Sequence, residues 1–89
     1  MAKRGKLEII KDILSIINKN RNSVKITPLI RQSNISSARF KEYFSELIEK
    51  KLVKEINHKG NKLISLTEKG CRFLERYKTI ITFIDEFEL

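Results

Sequence analysis

The sequence has few of the residues on which disulfide-rich, metal-binding and membrane proteins depend. It contains one cysteine, Cys71, so neither an intramolecular disulfide nor a cysteine metal cluster can form. Its single histidine, His58, has no partner at metal-ligand spacing. No apolar run is long enough to span a bilayer, and the basic N-terminus lacks a signal peptide's continuous apolar core. These absences predict a cytoplasmic protein that binds no metal and no membrane.

Signatures of catalysis are also missing. No Ser, His and Asp set can be assembled around His58, and the sequence contains neither a glycine-rich phosphate loop nor a carboxylate pair in an evident cleft. We therefore predict no enzymatic activity, no cofactor and no small-molecule ligand. The 89 residues are 40% hydrophobic and 34% charged, which is typical of one globular domain.

Positive charge is concentrated in the front part of the chain. Residues 1–62 carry fifteen Lys and Arg against six Asp and Glu, whereas residues 63–89 carry four against five. A one-sided basic surface favours a polyanionic partner, although a solvated lysine-rich surface gives the same composition. Lys3, Arg4 and Lys6 form a basic arm that either tracks a phosphate backbone or, as the favoured alternative, is a frayed tail.

Helical patterns occupy the first half of the sequence. Apolar residues recur three and four apart from Lys6 to Lys19, which predicts a helix covered on two sides. "NKNRNS", residues 18–23, ends this helix, and no strand pattern is visible there. Thr27 followed by Pro28 predicts a short second helix over residues 28–32 with Thr27 as its cap.

A tight connection and a longer helix follow. Asn34 tolerates a left-handed backbone, and Ile35 is expected to fill part of the core. Ser36 or Ser37 caps the third helix, whose apolar stripe consists of Phe40, Phe44 and Leu47. A short helix, a tight turn and a longer helix with a polar outer face make the helix-turn-helix pattern.

A hairpin and a final helix complete the pattern. Residues 52–57 and 62–66 predict two strands, and period two assigns four residues to the inward face: Leu52, Ile56, Ile64 and Leu66. Residues 58–61, "HKGN", are expected to form the turn, with Gly60 or Asn61 at positive φ. Thr67 caps a helix that runs to the C-terminus. The element order predicts a mainly α (α+β) winged helix-turn-helix with a two-stranded wing and a long C-terminal dimerisation helix.

The segments "ISSARFKEYFSELIEKKLV" and "LISLTEKGCRFLERY" resemble the small archaeal winged helix-turn-helix DNA-binding proteins of the ten-kilodalton dimeric type. The resemblance covers nearly the whole chain. It implies a homodimer joined by an antiparallel coiled coil of the last helix, and a role as a regulator or a chromatin-type protein. The family usually has glycine before the first wing strand. Lys51 stands at that position here, so the resemblance does not predict the conformation of the turn into the wing.

Candidate DNA contacts lie on the third helix and at the hairpin tip. A major groove admits an α-helix, and the side chains of its exposed N-terminal portion read base edges. The residues there are Ser37, Arg39 and Lys41, with Ser45 one turn further along. Arg39 suits a guanine edge, and Lys41 suits a guanine or a phosphate. The alternative is an ordinary solvated face, on which Glu42, Glu46 and Glu49 repel phosphates.

The wing tip carries His58, Lys59, Asn61 and Lys62. Two lysines on a projecting hairpin can neutralise phosphates at a groove edge, so we expect contacts from Lys59 and Lys62. Hairpin tips are usually polar in any case, and the role of His58 stays open.

The last helix carries a heptad seam, which Leu74 and Ile81 widen. The predicted dimer interface consists of Phe73, Tyr77, Ile80, Ile81, Ile84 and Phe87. In a monomer the end of this helix would expose apolar surface to water, unless it folds back on its own core. We therefore assign residues 1–68 to DNA binding and residues 69–89 to dimerisation. Gly70 is expected at a close backbone approach.

Together these patterns predict a homodimeric, nucleoid-associated transcription regulator that binds double-stranded DNA with sequence selectivity. An architectural chromatin protein is the alternative within the same class. A winged-helix protein-interaction module without DNA binding is the alternative from another class, and the glutamates of the third helix favour it.

Overall fold

The computed structural model describes residues 5–88, so Lys3 and Arg4 of the basic arm lie outside it. The elements are α1 (Lys6–Lys19), β1 (Val24–Lys25), α2 (Ile26–Ser33), α3 (Ser37–Glu49), β2 (Val53–His58), β3 (Asn61–Leu66) and α4 (Glu68–Glu86). The predicted mainly helical, winged fold is confirmed. Among the described helices, none combines the length and the apolarity that a membrane crossing requires.

Helix α1 forms the centre of the core. Its bounds are those that the apolar period predicts, and its buried residues are Ile9, Ile10, Ile13, Leu14 and Ile17. Three of these, Ile13, Leu14 and Ile17, have no exposed surface at all. Burial of a branched aliphatic side chain stabilises a fold by about 1.5–3 kcal/mol, so this one helix supplies a large part of the driving force.

A short strand that was not predicted follows α1 at Val24–Lys25, directly after residues 18–23, which contain no strand, as expected. Val24 pairs with Ile64, and Lys25 pairs with Leu63, which makes β1 an edge of a three-stranded antiparallel sheet of order β1-β3-β2. Asn22 positions this strand, because its Oδ1 accepts a hydrogen bond of 2.7 Å from the backbone N–H of Leu66. A two-residue strand is too short to produce a visible period of two.

The second helix begins earlier than predicted. Helix α2 starts at Ile26, Lys25 is its N-cap, and no side chain caps it, so Thr27 is not the cap. Pro28 is the third helical residue, a position where the backbone N–H has no intrahelical partner and its loss costs nothing. Asn34 then adopts the expected left-handed conformation, with φ 57° and ψ 40°.

Helix α3 agrees with its prediction. Ser36 is the N-cap, and its side chain accepts a hydrogen bond of 3.2 Å from the backbone N–H of Arg39. Phe40 and Leu47 are fully buried, and the ring of Phe44 stacks on Phe40 with centroids 5.5 Å apart. The apolar stripe therefore anchors α3 in the core beside α2 and β2 and leaves the opposite face in solvent.

The hairpin is longer and its turn tighter than predicted. His58 pairs with Asn61, so only Lys59 and Gly60 form the turn, both at positive φ, 50° and 80°. Such a two-residue turn matches the twist of the strands, whereas the four-residue turn predicted for residues 58–61 does not form.

The predicted inward face of β2 was also wrong. Val53 is 3% exposed and faces the core, whereas Ile56 is 39% exposed. Val53 pairs with Leu66, and this register points Ile56 away from the core. Leu52 is buried as expected, but it lies in the turn before β2.

Residues 50–52, here called the joint, connect α3 to β2 and hold the start of α4. Lys51 has φ 60°, in the left-handed region that glycine adopts without strain. This is the position at which the family that the sequence resembles usually has glycine. The hydroxyl of Thr67, which caps α4, donates a 2.6 Å hydrogen bond to the carbonyl of Lys51. A Cβ on Gly70 would collide with the carbonyl oxygen of Leu52, which confirms the predicted close approach.

Candidate nucleic-acid interface

The outer face of α3 presents its predicted contact residues to solvent. Ser37, Arg39, Lys41 and Ser45 are all exposed. Arg39 is oriented by its neighbour one turn along, since its Nη2 donates to the hydroxyl of Tyr43 at 3.4 Å and its guanidinium lies 5.9 Å from that ring's centroid. A cation held over an aromatic ring loses less conformational freedom when it binds than an unsupported one.

The hairpin tip brings the other four candidates together. His58, Lys59, Asn61 and Lys62 are exposed and lie on the last two rungs of the hairpin and its turn. Lys62 is not isolated, because its Nζ lies 3.4 Å from Oε2 of Glu55 on the facing strand. Exposed ion pairs of this kind are worth about 0–1 kcal/mol, so phosphate can replace Glu55 as the partner of Lys62 at little cost.

One groove connects α3 to the hairpin. It has a volume of about 260 Å³, and Lys41 of α3 lines it together with Glu55 and Lys62 of the hairpin. Its apolar floor includes Phe40 and Ile64. Residues two apart on a helix lie about 200° apart, so Lys41 and Arg39 occupy opposite flanks of α3. Of these two residues only Lys41 lines the groove, so the structure brings Lys41 of α3 together with Lys62 of the hairpin, whereas Arg39 lies on the other flank.

A family model described as winged helix-turn-helix matches residues 3–85. The chain belongs to the winged helix-turn-helix family. Helix α3 is accordingly the recognition helix of a winged-helix DNA-binding fold, and the β2–β3 hairpin is its wing. The family is typically non-enzymatic.

Several solved structures share this winged-helix fold. Sso10a-2, a DNA-binding protein from Sulfolobus solfataricus, superposes with a TM-score of 0.75 at 22% identity, over 96% of this chain and 86% of that chain. F93 from STIV, a winged-helix DNA-binding protein, gives 0.74 at 21% identity, over 89% and 91%. The F-93 protein of SSV1 gives 0.69 at 27% identity, over 90% and 88%. No curated protein matches significantly. The predicted resemblance to small archaeal winged-helix proteins is confirmed.

The recognition helix carries one glutamate that is already neutralised within the winged-helix fold. Glu46 Oε1 accepts hydrogen bonds from Nζ of Lys6 at 2.8 Å and from Nζ of Lys50 at 3.0 Å. The hydrogen bond from Lys6, followed by that from Lys50, holds the pKa of Glu46 below its ordinary value. The same contact raises the pKa of Lys6. Glu46 therefore repels phosphate less than its charge in the sequence indicates.

The end of α4 exposes an apolar face in the single chain. Ile80, Phe83 and Phe87 are 57%, 53% and 61% exposed, and Ile81 is exposed as well. Phe73 and Tyr77, predicted for the same interface, are half-buried, and Phe73 packs against the core. Lys78 lines a groove beside α1 together with Lys11, and Tyr77 and Ile81 line the same groove.

Sequence reasoning missed three residues of these surfaces. Tyr43 was not among the predicted contact residues, yet it orients Arg39. Glu55 was not recognised as the partner of Lys62, because the register of the hairpin decides that contact. Phe83 was absent from the predicted dimer interface, although its spacing of four from Phe87 indicates a shared helix face.

Cys71 is exposed on α4. Within residues 5–88 no three potential ligands are close enough to hold a metal ion.

Proposed function

We propose that this winged helix-turn-helix protein binds double-stranded DNA with sequence selectivity, as a homodimeric transcription regulator. One observation carries the proposal. The recognition helix and the wing place Lys41 and Lys62 on the rim of one solvent-exposed groove. Sso10a-2 and F93, which share the fold, are DNA-binding proteins, and this supports the DNA-binding part of the proposal.

The two elements take different roles in this proposal. The recognition helix enters the major groove, where Arg39, oriented by Tyr43, bonds a guanine edge and Lys41 bonds a guanine or a phosphate. Ser37 and Ser45 supply polar contacts on the same helix. At the wing, Lys59 and Lys62 neutralise phosphates, and His58 and Asn61 flank them.

Substitutions separate these roles. Lys59→Ala and Lys62→Ala should weaken binding to all duplexes alike and flatten the salt dependence, whose log–log slope is about −0.9 per neutralised phosphate. Arg39→Ala should relax sequence preference by about 1–3 kcal/mol. Binding-site selection on randomised duplex, followed by titrations at several salt concentrations, measures both effects. Lys78→Ala, on the groove beside α1, is the matched control. Salt-insensitive affinity contradicts phosphate contact.

A protein-interaction module is the rival from another class. The glutamates of the recognition helix favour it, but Glu46 is held by Lys6 and Lys50, which weakens that argument. A gel shift on random duplex decides between the two, since a docking module leaves the duplex unshifted. An architectural chromatin protein would bind duplex without sequence preference, and the site selection identifies that outcome.

The homodimer is the second part of the proposal, and it treats residues 69–89 as the dimerisation helix behind a DNA-binding unit of residues 1–68. The exposed apolar face of α4 supports it, because soluble monomers rarely expose such a surface. Antiparallel packing separates the acidic ends, whereas parallel packing stacks them. The two-fold axis predicts a pseudo-palindromic site with half-sites one or more helical turns apart.

Ile84→Asp tests the homodimer, because it places an unpaired charge in the seam and should give monomers that bind DNA weakly. Thr82→Asp, which adds the same charge on the opposite side of α4, is the control. Sedimentation equilibrium at micromolar concentration measures both. A monomeric wild type, or an Ile84→Asp variant that stays dimeric, contradicts the proposal.

A further inference from the structure

The aromatic residues of α4 are arranged symmetrically about Ile80. Phe73 and Tyr77 precede Ile80 by seven and three residues, and Phe83 and Phe87 follow it by three and seven. The rings form two pairs, with centroids 6.2 Å apart for Phe73–Tyr77 and 4.8 Å apart for Phe83–Phe87. If two antiparallel copies cross at Ile80, each Phe87 comes to lie opposite Phe73 of the partner.

A cavity opens at that position. It has a volume of about 340 Å³, its apolar walls are Leu52 and Phe73, and its basic residues are Lys69, Arg72 and Arg76. All three cations are exposed. We call it the basic-rimmed cavity. Its apolar floor adjoins the joint, and three cations surround it.

The end of α4 has the complementary composition. Phe87 is 61% exposed, and acidic residues flank it: Asp85, Glu86 and Glu88. At about 100° per residue, Glu86 lies on the same flank of α4 as Arg72 and Arg76. In an antiparallel pair related by a two-fold axis, like flanks meet. Glu86 of one copy then lies within about 3 Å, along the axis, of Arg72 and Arg76 of the other.

We propose that the partner's Phe87 inserts into the basic-rimmed cavity, with the partner's Glu86 between Arg72 and Arg76. This inference rests on the proposed homodimer and specifies its register and its anchor. Aromatic anchors in well-packed pockets commonly carry a large share of an interface's affinity, and complementary charge around them fixes the register.

This contact reaches the DNA-binding elements through the joint. Leu52, one wall of the cavity, donates its backbone N–H to the carbonyl of Leu47 in the recognition helix at 2.9 Å. Its carbonyl accepts from the backbone N–H of Thr67, the cap of α4, at 3.2 Å, and Val53 directly after it begins the wing. The partner's Phe87 therefore packs against the segment that sets the recognition helix relative to the wing. Dimerisation and DNA binding are thereby coupled.

Cysteine cross-linking tests the register. In a Cys71→Ser background, Ile80→Cys should form a disulfide-linked dimer under mild oxidation, because both copies of residue 80 lie at the two-fold axis. Lys78→Cys, which faces the groove beside α1, is the matched control and should not cross-link. If the wild type sediments as a dimer but Ile84→Cys or Tyr77→Cys cross-links instead of Ile80→Cys, the proposed register is wrong while the dimer stands. A monomeric wild type overturns both.

Charge exchange tests the anchor. Arg72→Glu and Glu86→Arg should each weaken dimerisation about threefold to tenfold, and the double variant should recover it. Lys19→Glu, at an exposed residue of α1, controls for net charge. In the disulfide-linked Ile80→Cys dimer, Phe87→Ala should lower DNA affinity about fivefold or more, whereas Leu7→Ala, an exposed leucine on α1, should not. Lack of recovery in the double variant, or full DNA affinity with Phe87→Ala, overturns the proposal.

Discussion

Replacing Gly70 with alanine should destabilise the fold, although it removes a glycine from a helix. Helix propensity alone predicts the opposite, a gain of about 0.5–1 kcal/mol. The structure opposes that gain, because a Cβ at this position would meet the backbone carbonyl of Leu52 and not a movable side chain. That carbonyl accepts the N–H of Thr67 at 3.2 Å, so any displacement of Leu52 also disturbs the cap of α4.

The sizes of these opposing effects decide whether Gly70→Ala stabilises or destabilises the fold. Overpacking against a rigid neighbour costs about 1–3 kcal/mol, and a weakened backbone hydrogen bond adds about 1 kcal/mol. After the gain in propensity is subtracted, Gly70→Ala should lose about 1–3 kcal/mol of unfolding free energy. For a domain of this size, each kcal/mol lowers Tm by about 4–8 °C.

Thermal unfolding followed by circular dichroism measures this loss. Protein concentration must be fixed, because the proposed dimerisation would make Tm depend on concentration. Cys71→Ala, at the exposed neighbouring residue, is the control and should change Tm little. A Tm for Gly70→Ala equal to or above that of the wild type would refute the argument from close approach.

Three further predictions concern the joint, the turn between α1 and β1, and the ion pairs of α3. Lys51→Gly should raise the unfolding free energy by about 1 kcal/mol by relieving the left-handed backbone at φ 60°, and a lower Tm would contradict this. Asn22→Ala should cost about 1–3 kcal/mol in urea unfolding, because the N–H of Leu66 loses its acceptor, and an unchanged midpoint would contradict this. The pKa of Glu46 is lowered from 4.5, so its contribution to stability is present above pH 4.5 and is lost as the pH falls through the lowered pKa. The stability difference between wild type and Glu46→Gln should therefore disappear at low pH, and a difference that persists there would refute the role of the ion pairs.

Much of the fold could be predicted from local patterns. The bounds of α1 and the caps Ser36 and Thr67 follow from apolar period and capping chemistry, which act within one or two turns. Strand β1 could not be predicted, because its stability comes from β3, about forty residues away in sequence. The prediction of which face of β2 points inward failed for a related reason. Pairing of Val53 with Leu66 sets the register, and a shift of one residue exchanges the two faces of a strand.

The residues of the candidate site could be predicted from their types, but most of the contacts that they make in the structure could not. Exposure of Arg39, Lys41, Lys59 and Lys62 agrees with their polar surroundings in the sequence. Their partners depend on tertiary structure: Tyr43 lies one helical turn from Arg39, but Lys62 meets Glu55 only through the hairpin register. Likewise, the glutamates of α3 looked equivalent in sequence, and only the packing of α1 brings Lys6 to Glu46.

The two-residue turn at the wing tip also bears on the thermodynamics of binding. Pairing continues to His58 and Asn61, so the backbone of the wing is ordered before any partner arrives. Ordering a flexible residue costs about 1–2 kcal/mol of backbone entropy, and a longer, mobile tip would lose that amount at each residue on binding. In the proposed DNA complex, the loss falls mainly on the side chains of Lys59 and Lys62. The wing is thus preorganised, and most of the electrostatic attraction proposed at its tip would remain available as affinity.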